Sequence, residues 1–398
     1  MLVPILLSAA MAADWPRIFG PDGDSHADLP GLPTEWSAED YEWSATLPGV
    51  GHSSPVVHGT DVFVTCGAED GTRSLICLDV TSGEQRWTAD VKLDPSHLHK
   101  KNSYGSSSPA VDEDRIVCVF ADTRKHLVVS FGRDGGERWR TDLGGFESQH
   151  GQGSSPVLDG GRVYVANDQL GASSVLALDA ATGEIVWQTP RESGHTAYAT
   201  PRLVDLCGRR VLLTAGTAEG VAAFDPEDGR RLFASGPVPL RVVASPVVVP
   251  GDGVVITCGS GGIGKHMECV DVRRDREEWS AANRWTLKKQ IPYVPTPVVA
   301  GGALFFWNDR GTLARVDPAD GSMDWVERLG GNFSGSPLVV GERMVAVDED
   351  GKVLVVDAGE TFKRHPGGSI PDNSYATPSV GAGRLLIRGF GSLRSLKP

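Results

Sequence analysis

The chain has 398 residues, of which 40% are hydrophobic and 22% charged, with 49 glycines and a formal net charge of −13. This composition excludes a disordered or fibrous chain. The acidic balance excludes a general nucleic-acid surface, which needs clustered Lys and Arg to neutralise phosphates. No run of 18 apolar residues occurs, so the sequence offers no membrane-spanning helix.

The first twelve residues hold an apolar stretch at 2–7 and end in Ala10-Met11-Ala12, the small-x-small pattern of a signal-peptide cleavage site. Cleavage there leaves 13–398 as one domain and places it in the periplasm or outside the cell. The alternative is an uncleaved cytosolic N-terminus, since neither Lys nor Arg precedes the apolar stretch. Next comes Asp14-Trp15-Pro16-Arg17-Ile18-Phe19-Gly20-Pro21-Asp22-Gly23, and then an isolated aromatic segment at 41–47 around Trp43.

From there a small residue and a proline introduce a short apolar run eight times. The prolines are Pro55, Pro109, Pro156, Pro201, Pro246, Pro297, Pro337 and Pro378, spaced 54, 47, 45, 45, 51, 40 and 41 residues apart. A period of this size, filled with short β-rich runs and Gly/Asp turns, predicts the blades of a propeller. Between the prolines runs a second repeat, clearest as Asp179-Ala-Ala-Thr182-Gly183-Glu184-Ile-Val-Trp187. Asp caps a tight turn, Gly supplies its positive φ, and the aromatic then falls on an outer strand facing the neighbouring blade. The aromatics are Trp43, Trp87, Trp139, Trp187, Phe233, Trp285, Trp325 and Phe362.

Trp43 has no preceding strands of its own, and the last repeat ends at Pro398 before any aromatic. The segment at 41–47 therefore supplies the outer strand of the last blade. The expected fold is all-β: an eight-bladed propeller of four-stranded antiparallel blades closed by the N-terminal strand, with seven blades if the last copies are too degraded.

The six cysteines are too few for a disulfide framework. Cys66 with Cys77 and Cys258 with Cys269 share one spacing in two blades, which fits either buried thiols or hairpin disulfides. The glycine-rich stretch 259–264 lacks a following helix and reads as a hairpin loop, not a phosphate site. Lys100-Lys101 and Lys288-Lys289 read as solvated loops.

The small-residue–Pro starts and the Asp-x-x-Thr-Gly-x-x-x-Trp turn resemble the repeats of quinoprotein-like (PQQ-repeat) β-propellers. That family includes quinoprotein alcohol dehydrogenases and BamB-type outer-membrane assembly lipoproteins. The opening at 14–23 is similar to the Trp-Pro-x-Phe-Arg-Gly-Pro leader of many such propellers, with Ile18-Phe19 where Phe-Arg is usual. The resemblance covers about Trp15 to the C-terminus and is specific for fold, whereas one scaffold hosts many functions. In the quinoprotein dehydrogenases it implies PQQ on the axis, calcium held by carboxylate and amide ligands, an Asp base and a ring of two adjacent cysteines. This chain has no Cys-Cys pair and no Cys-x-x-Cys-His haem site, and its first twelve residues lack the lipid-anchor cysteine of BamB-type proteins.

In a propeller the loops entering the innermost strands gather around the axis, and here they immediately precede the prolines. They carry His52, His97, His99, Asn102, Tyr104, His150, Gln152, His195, Tyr198, Arg241, Tyr293, Asn332, Asn373 and Tyr375, including five of the ten histidines. Convergent polar and aromatic groups at such a mouth are the candidate ligand-binding face. The loops at 92–105 and 144–153 are the longest, which favours function. His97 and His99 with His150 or His195 are candidate metal ligands, although no carboxylate or cysteine stands at a recognisable ligand spacing. Glu147 and Asp372 are the acids near the mouth, and they come from well-separated loops, as a glycan hydrolase would have to reconcile. PQQ would need cations, with Arg241, Lys100 and Lys101 as candidates. The expectation is an exported, non-enzymatic, monomeric binding or scaffold propeller taking a protein, peptide or glycan on this face, without a resident cofactor. The alternative is a PQQ-dependent dehydrogenase with calcium.

Overall fold

The computed structural model describes residues 14–261 and 264–398; the segment read as a signal peptide lies outside the described residues. Eight antiparallel sheets follow one another along the chain, each beginning just after one of the eight prolines. Blade one shows the pattern: Val56–His58, Asp61–Gly67, Thr72–Asp79 and Gln85–Lys92, from the axis outward. The middle strands are buried on both faces because each blade is sandwiched between two others. The outermost strand alternates exposed and partly buried residues along Gln85–Lys92. The apolar cores accordingly lie in the seams between blades: Val56, Phe63, Leu75 and Cys77 pack there against Ile116, Cys118, Leu127 and Val129 of blade two.

The residue before each proline has a task. Ser54 N donates to Ser108 Oγ at 2.8 Å, Ser108 N to Ser155 Oγ at 2.9 Å, and Ser155 N to Thr200 Oγ1 at 3.1 Å. The series continues through Ser245, Thr296, Ser336 and Thr377 at 2.9–3.1 Å. Each hydroxyl thus accepts the N–H of its counterpart one blade back, a buried belt around the axis. Between blades eight and one, Arg388, only 1% exposed, takes over. Its guanidinium donates to Ser53 O at 3.0 Å and Thr65 O at 2.7 Å.

An outer belt is made by the tryptophans. Trp43, Trp139, Trp187 and Trp285 donate from Nε1 to Val80, Ala180, Pro226 and Pro318 carbonyls of the following blade at 2.9–3.0 Å. Each acceptor directly follows the turn Asp, and the indole covers the turn Gly. A Cβ on Gly83 would lie 2.5 Å from Trp43, and one on Gly183 would lie 2.5 Å from Trp139. Glycine is therefore needed there for space as well as for its φ of 72–76°.

Two seams depart from the expected repeat. Phe233 has no such turn to meet and stacks instead on Trp279 at 5.9 Å. Phe362, expected on the outer strand of blade seven, lies in the turn before Arg364–Ser369 and packs back on Trp325 at 5.5 Å. The aromatic at the next seam is Trp36, from the other end of the chain, whose indole covers Gly368 and donates to Tyr41 OH at 2.9 Å.

Tyr41–Thr46 pairs antiparallel with Ser392–Leu396 and completes blade eight, as expected. The residues ahead of it form an underside strap. Trp15 exchanges backbone bonds with Val57 of blade one, Pro16 O accepts from Val111 N of blade two, and Arg17 reaches Leu158 O of blade three. After a reversal at Phe19 and Gly20, both at positive φ, His26–Ala27 adds a parallel strand to blade seven. A second unforeseen strand, Arg241–Val242, pairs with Gly259 and Cys258 of blade five.

The register settles the cysteines. Cys77 stands opposite Phe63, three positions from Cys66, and Cys269 stands opposite Val255, three from Cys258. Cys66 and Cys77 also face different seams. No bridge can form within either hairpin, and all six cysteines are free thiols.

Candidate functional site

The loops before the prolines emerge on one face, together with the turns between second and third strands. The first of two clusters there is built from the loops entering blades two to five. The His99 and His150 rings are 4.7 Å apart, and Tyr198 stands 6.1 Å beyond His150. Arg241 Nη1 lies 2.5 Å from His150 Nε2, and its Nη2 donates to Gln149 Oε1. The Arg241–Val242 strand is what aims this guanidinium inward. Asn102 Nδ2 donates to His150 O at 2.6 Å and Gln152 O at 3.1 Å, clamping the two long loops together.

Guanidinium only donates, so His150 Nε2 accepts and the ring is neutral, with its proton on Nδ1. That Nδ1 is buried without a protein partner among the described residues. Burial, then the Arg241 charge, holds His150 below its ordinary pKa; burial, then Lys100 and Lys101, does the same for His99. Tyr293 sits on the flank, its ring over Gly259 and its N–H bonded to Asp309 at 2.8 Å. Burial raises the pKa of both Tyr198 and Tyr293.

The second cluster joins blades one, seven and eight. His52 lies 4.8 Å from both Tyr375 and Phe390. Burial, with Arg388 beneath, pushes its pKa down to about 3. Lys101, carried over from the loop before blade two, pairs with Glu349 of blade seven and lies 5.7 Å above the Tyr375 ring. Asn373 Nδ2 donates to Glu349 O at 2.8 Å, and Asn332 O accepts from Glu349 N at 2.7 Å. The long loop at 92–105 thereby reaches from blade two to blade three on one side and to blade seven on the other.

Three expected residues stand apart. Tyr104 is a latch: its hydroxyl donates to Ser96 O at 2.8 Å and accepts from Ser96 N at 2.7 Å, while Arg73 covers its ring at 3.8 Å. His97 is exposed and lines a small separate pocket with Phe146 and Asp122. His195 is exposed, with no hydrogen bond to either cluster. The pairing of His99 with His150 is therefore not extended to a metal-ligand set. Glu349 and Phe390 were not foreseen. Glu349 and Phe390 belong to turns between second and third strands, outside the loops that precede the prolines.

Three acids of this face are engaged in holding loops, whereas the Glu147 side chain is exposed. Asp372 accepts from Gly391 N at 3.0 Å and Ser392 Oγ at 2.8 Å, Glu349 binds Lys101 and Ser334, and Asp309 binds Tyr293 N and Lys265. Among the described residues no three His, Cys, Asp or Glu side chains converge to hold a metal ion. With no adjacent cysteines either, the residues present do not fit a calcium–PQQ centre.

Ring, belts and repeats define an eight-bladed propeller of the quinoprotein-like class. The chain belongs to the family described as outer membrane protein assembly factor BamB, whose profile matches residues 36–127, 124–266 and 264–364. Among solved structures it is similar to BamB from Moraxella catarrhalis, at 15% identity and a TM-score of 0.63, over 89% of this chain and 98% of that one. It is also similar to a europium-containing methanol dehydrogenase, at 12% identity and a TM-score of 0.56, over 87% and 89% of the two chains. A quinohemoprotein alcohol dehydrogenase from Comamonas testosteroni aligns at 14% identity and a TM-score of 0.54, over 98% and 81%. At these identities the likeness is one of fold alone. No curated protein matches the chain.

Proposed function

We propose that the protein is an exported, monomeric scaffold of the cell envelope that binds a protein, peptide or glycan on its loop face and performs no reaction there. The observation that carries this reading is the cluster of His99, His150, Tyr198 and Arg241, in which aromatic surface surrounds a fixed guanidinium and an unpartnered imidazole N–H. Aromatic and arginine anchors in a partly desolvated setting are the usual carriers of binding energy at protein interfaces. Membership of a family described as an outer-membrane assembly factor supports the envelope as its place of action.

The test uses a variant carrying His150→Ala and Arg241→Ala. Envelope extract is passed over immobilised wild type and variant after their melting temperatures have been matched. The expected result is one retained component that the variant loses; equal retention by both overturns the assignment of this face. Calorimetric titration with PQQ and Ca²⁺ supplies the counter-test. One-to-one binding followed by dye reduction with an alcohol would replace the scaffold by a dehydrogenase.

A further inference from the structure

On the opposite face, the strap at 14–34 leaves a cleft of about 480 Å³ between itself and the ends of the innermost strands of blades four, five and six. This is within the usual size of small-ligand pockets. Its walls carry both signs of charge: Arg17, Arg202 and Arg210 on one hand, Asp22, Asp24 and Asp205 on the other.

The charges are unequally matched. Arg17 and Arg210 share Asp159, at 3.9 and 3.3 Å. Arg202 has no carboxylate within ion-pair reach among the described residues, although it is only 7% exposed. Its Nη1 donates to Pro246 O at 3.0 Å, and its Nε is buried without a partner among the described residues. The side chain reaches the strap, where a Cβ on Gly23 would lie 3.7 Å from Nε. Burial, with Arg17 nearby and Asp24 opposing, pushes its pKa down to about 10, so it stays charged. A buried guanidinium with no carboxylate in contact is costly and is satisfied by an acceptor brought from outside. Asp22, Asp24 and Asp205 form no ion pair among the described residues and disfavour a simple anion. They leave room for a cation beside the carboxylate that Arg202 calls for.

We infer that this cleft binds a small zwitterion, a free amino acid or short peptide, with its carboxylate on Arg202 and its ammonium group on the aspartates of the strap and of blade four. The site lies across the ring from the loop face, so its failure would leave the scaffold reading untouched.

Glycylglycine is the probe, with acetate and methylamine as its separated halves, titrated calorimetrically into the whole chain. The expected result is binding of glycylglycine at least about tenfold tighter than of either half. Arg202→Met abolishes it. Asp205→Asn, at an exposed position that leaves the core alone, weakens it severalfold and keeps the test open if the arginine variant fails to fold. Glycylglycine giving no heat, binding no better than its halves, or binding Asp205→Asn as tightly as wild type overturns the inference.

Discussion

At the scale of single residues, the hydroxyl before each proline holds neighbouring blades together through one backbone N–H. Ser155→Ala strands the buried Ser108 N–H, and a loss of about 1–3 kcal/mol is expected in urea unfolding, whereas Ser155→Thr, already the choice in three of the eight repeats, retains the bond. The buried imidazoles give a second expectation. His52 and His126 have pKa values pushed down to about 3 and about 4, both chiefly by burial. Protonation therefore favours the unfolded chain, so their contribution to stability is present above the ordinary histidine range and is lost as pH falls through it toward those values. Thermal unfolding from about pH 7 to about pH 4 should show a steep fall in Tm, and His52→Phe with His126→Gln should flatten it. The proline repeat was legible in sequence, but the reason for Ser or Thr before it was not. The partner of each hydroxyl lies a full repeat away, and only the ring closes that distance.

At the scale of elements, the turn and the outer-strand tryptophan form one joint made by two blades. Trp187→Ala removes both the cover over Gly229 and the bond to Pro226 O, and a loss of about 3–5 kcal/mol is expected on unfolding. Gly183→Ala attacks the same kind of joint from the other side, against Trp139, and should lower Tm without touching the loop face. Local pattern revealed these turns because Asp, Gly and Trp stand close in sequence. It failed at blade seven, where Phe362 follows a turn Asp after five residues instead of eight and the seam is filled by Trp36 from the far end of the chain. The candidate site divides in the same way. Membership of the entry loops was readable for all fourteen residues. Gathering depends on loop conformation, and this brings His99 to His150, turns His97 aside and spends Tyr104 on holding its own loop.

At the scale of the molecule, stability resides in seams, so the ring is as strong as its junction between first and last blades. That junction is held by Tyr41–Thr46 on Ser392–Leu396, by Arg388 and by the strap beneath. Removing residues 392–398 should leave unfolded or aggregating protein, with an exposed strand edge at each side of the gap; a soluble monomer with the parent's Tm would contradict the fold's dependence on this seam. The pairing also sets an order of events. The segment at 41–46 is made well before its mate at 392–396, so it stays unsatisfied while every strand between them is synthesised. Closure then joins two parts of the chain far apart in sequence, a contact of high loop-entropy cost and of the slowest class to form. Until it forms, the early strand must be kept from pairing with other chains, so the protein's demand on chaperones falls almost entirely before the strand at Ser392–Leu396 is released.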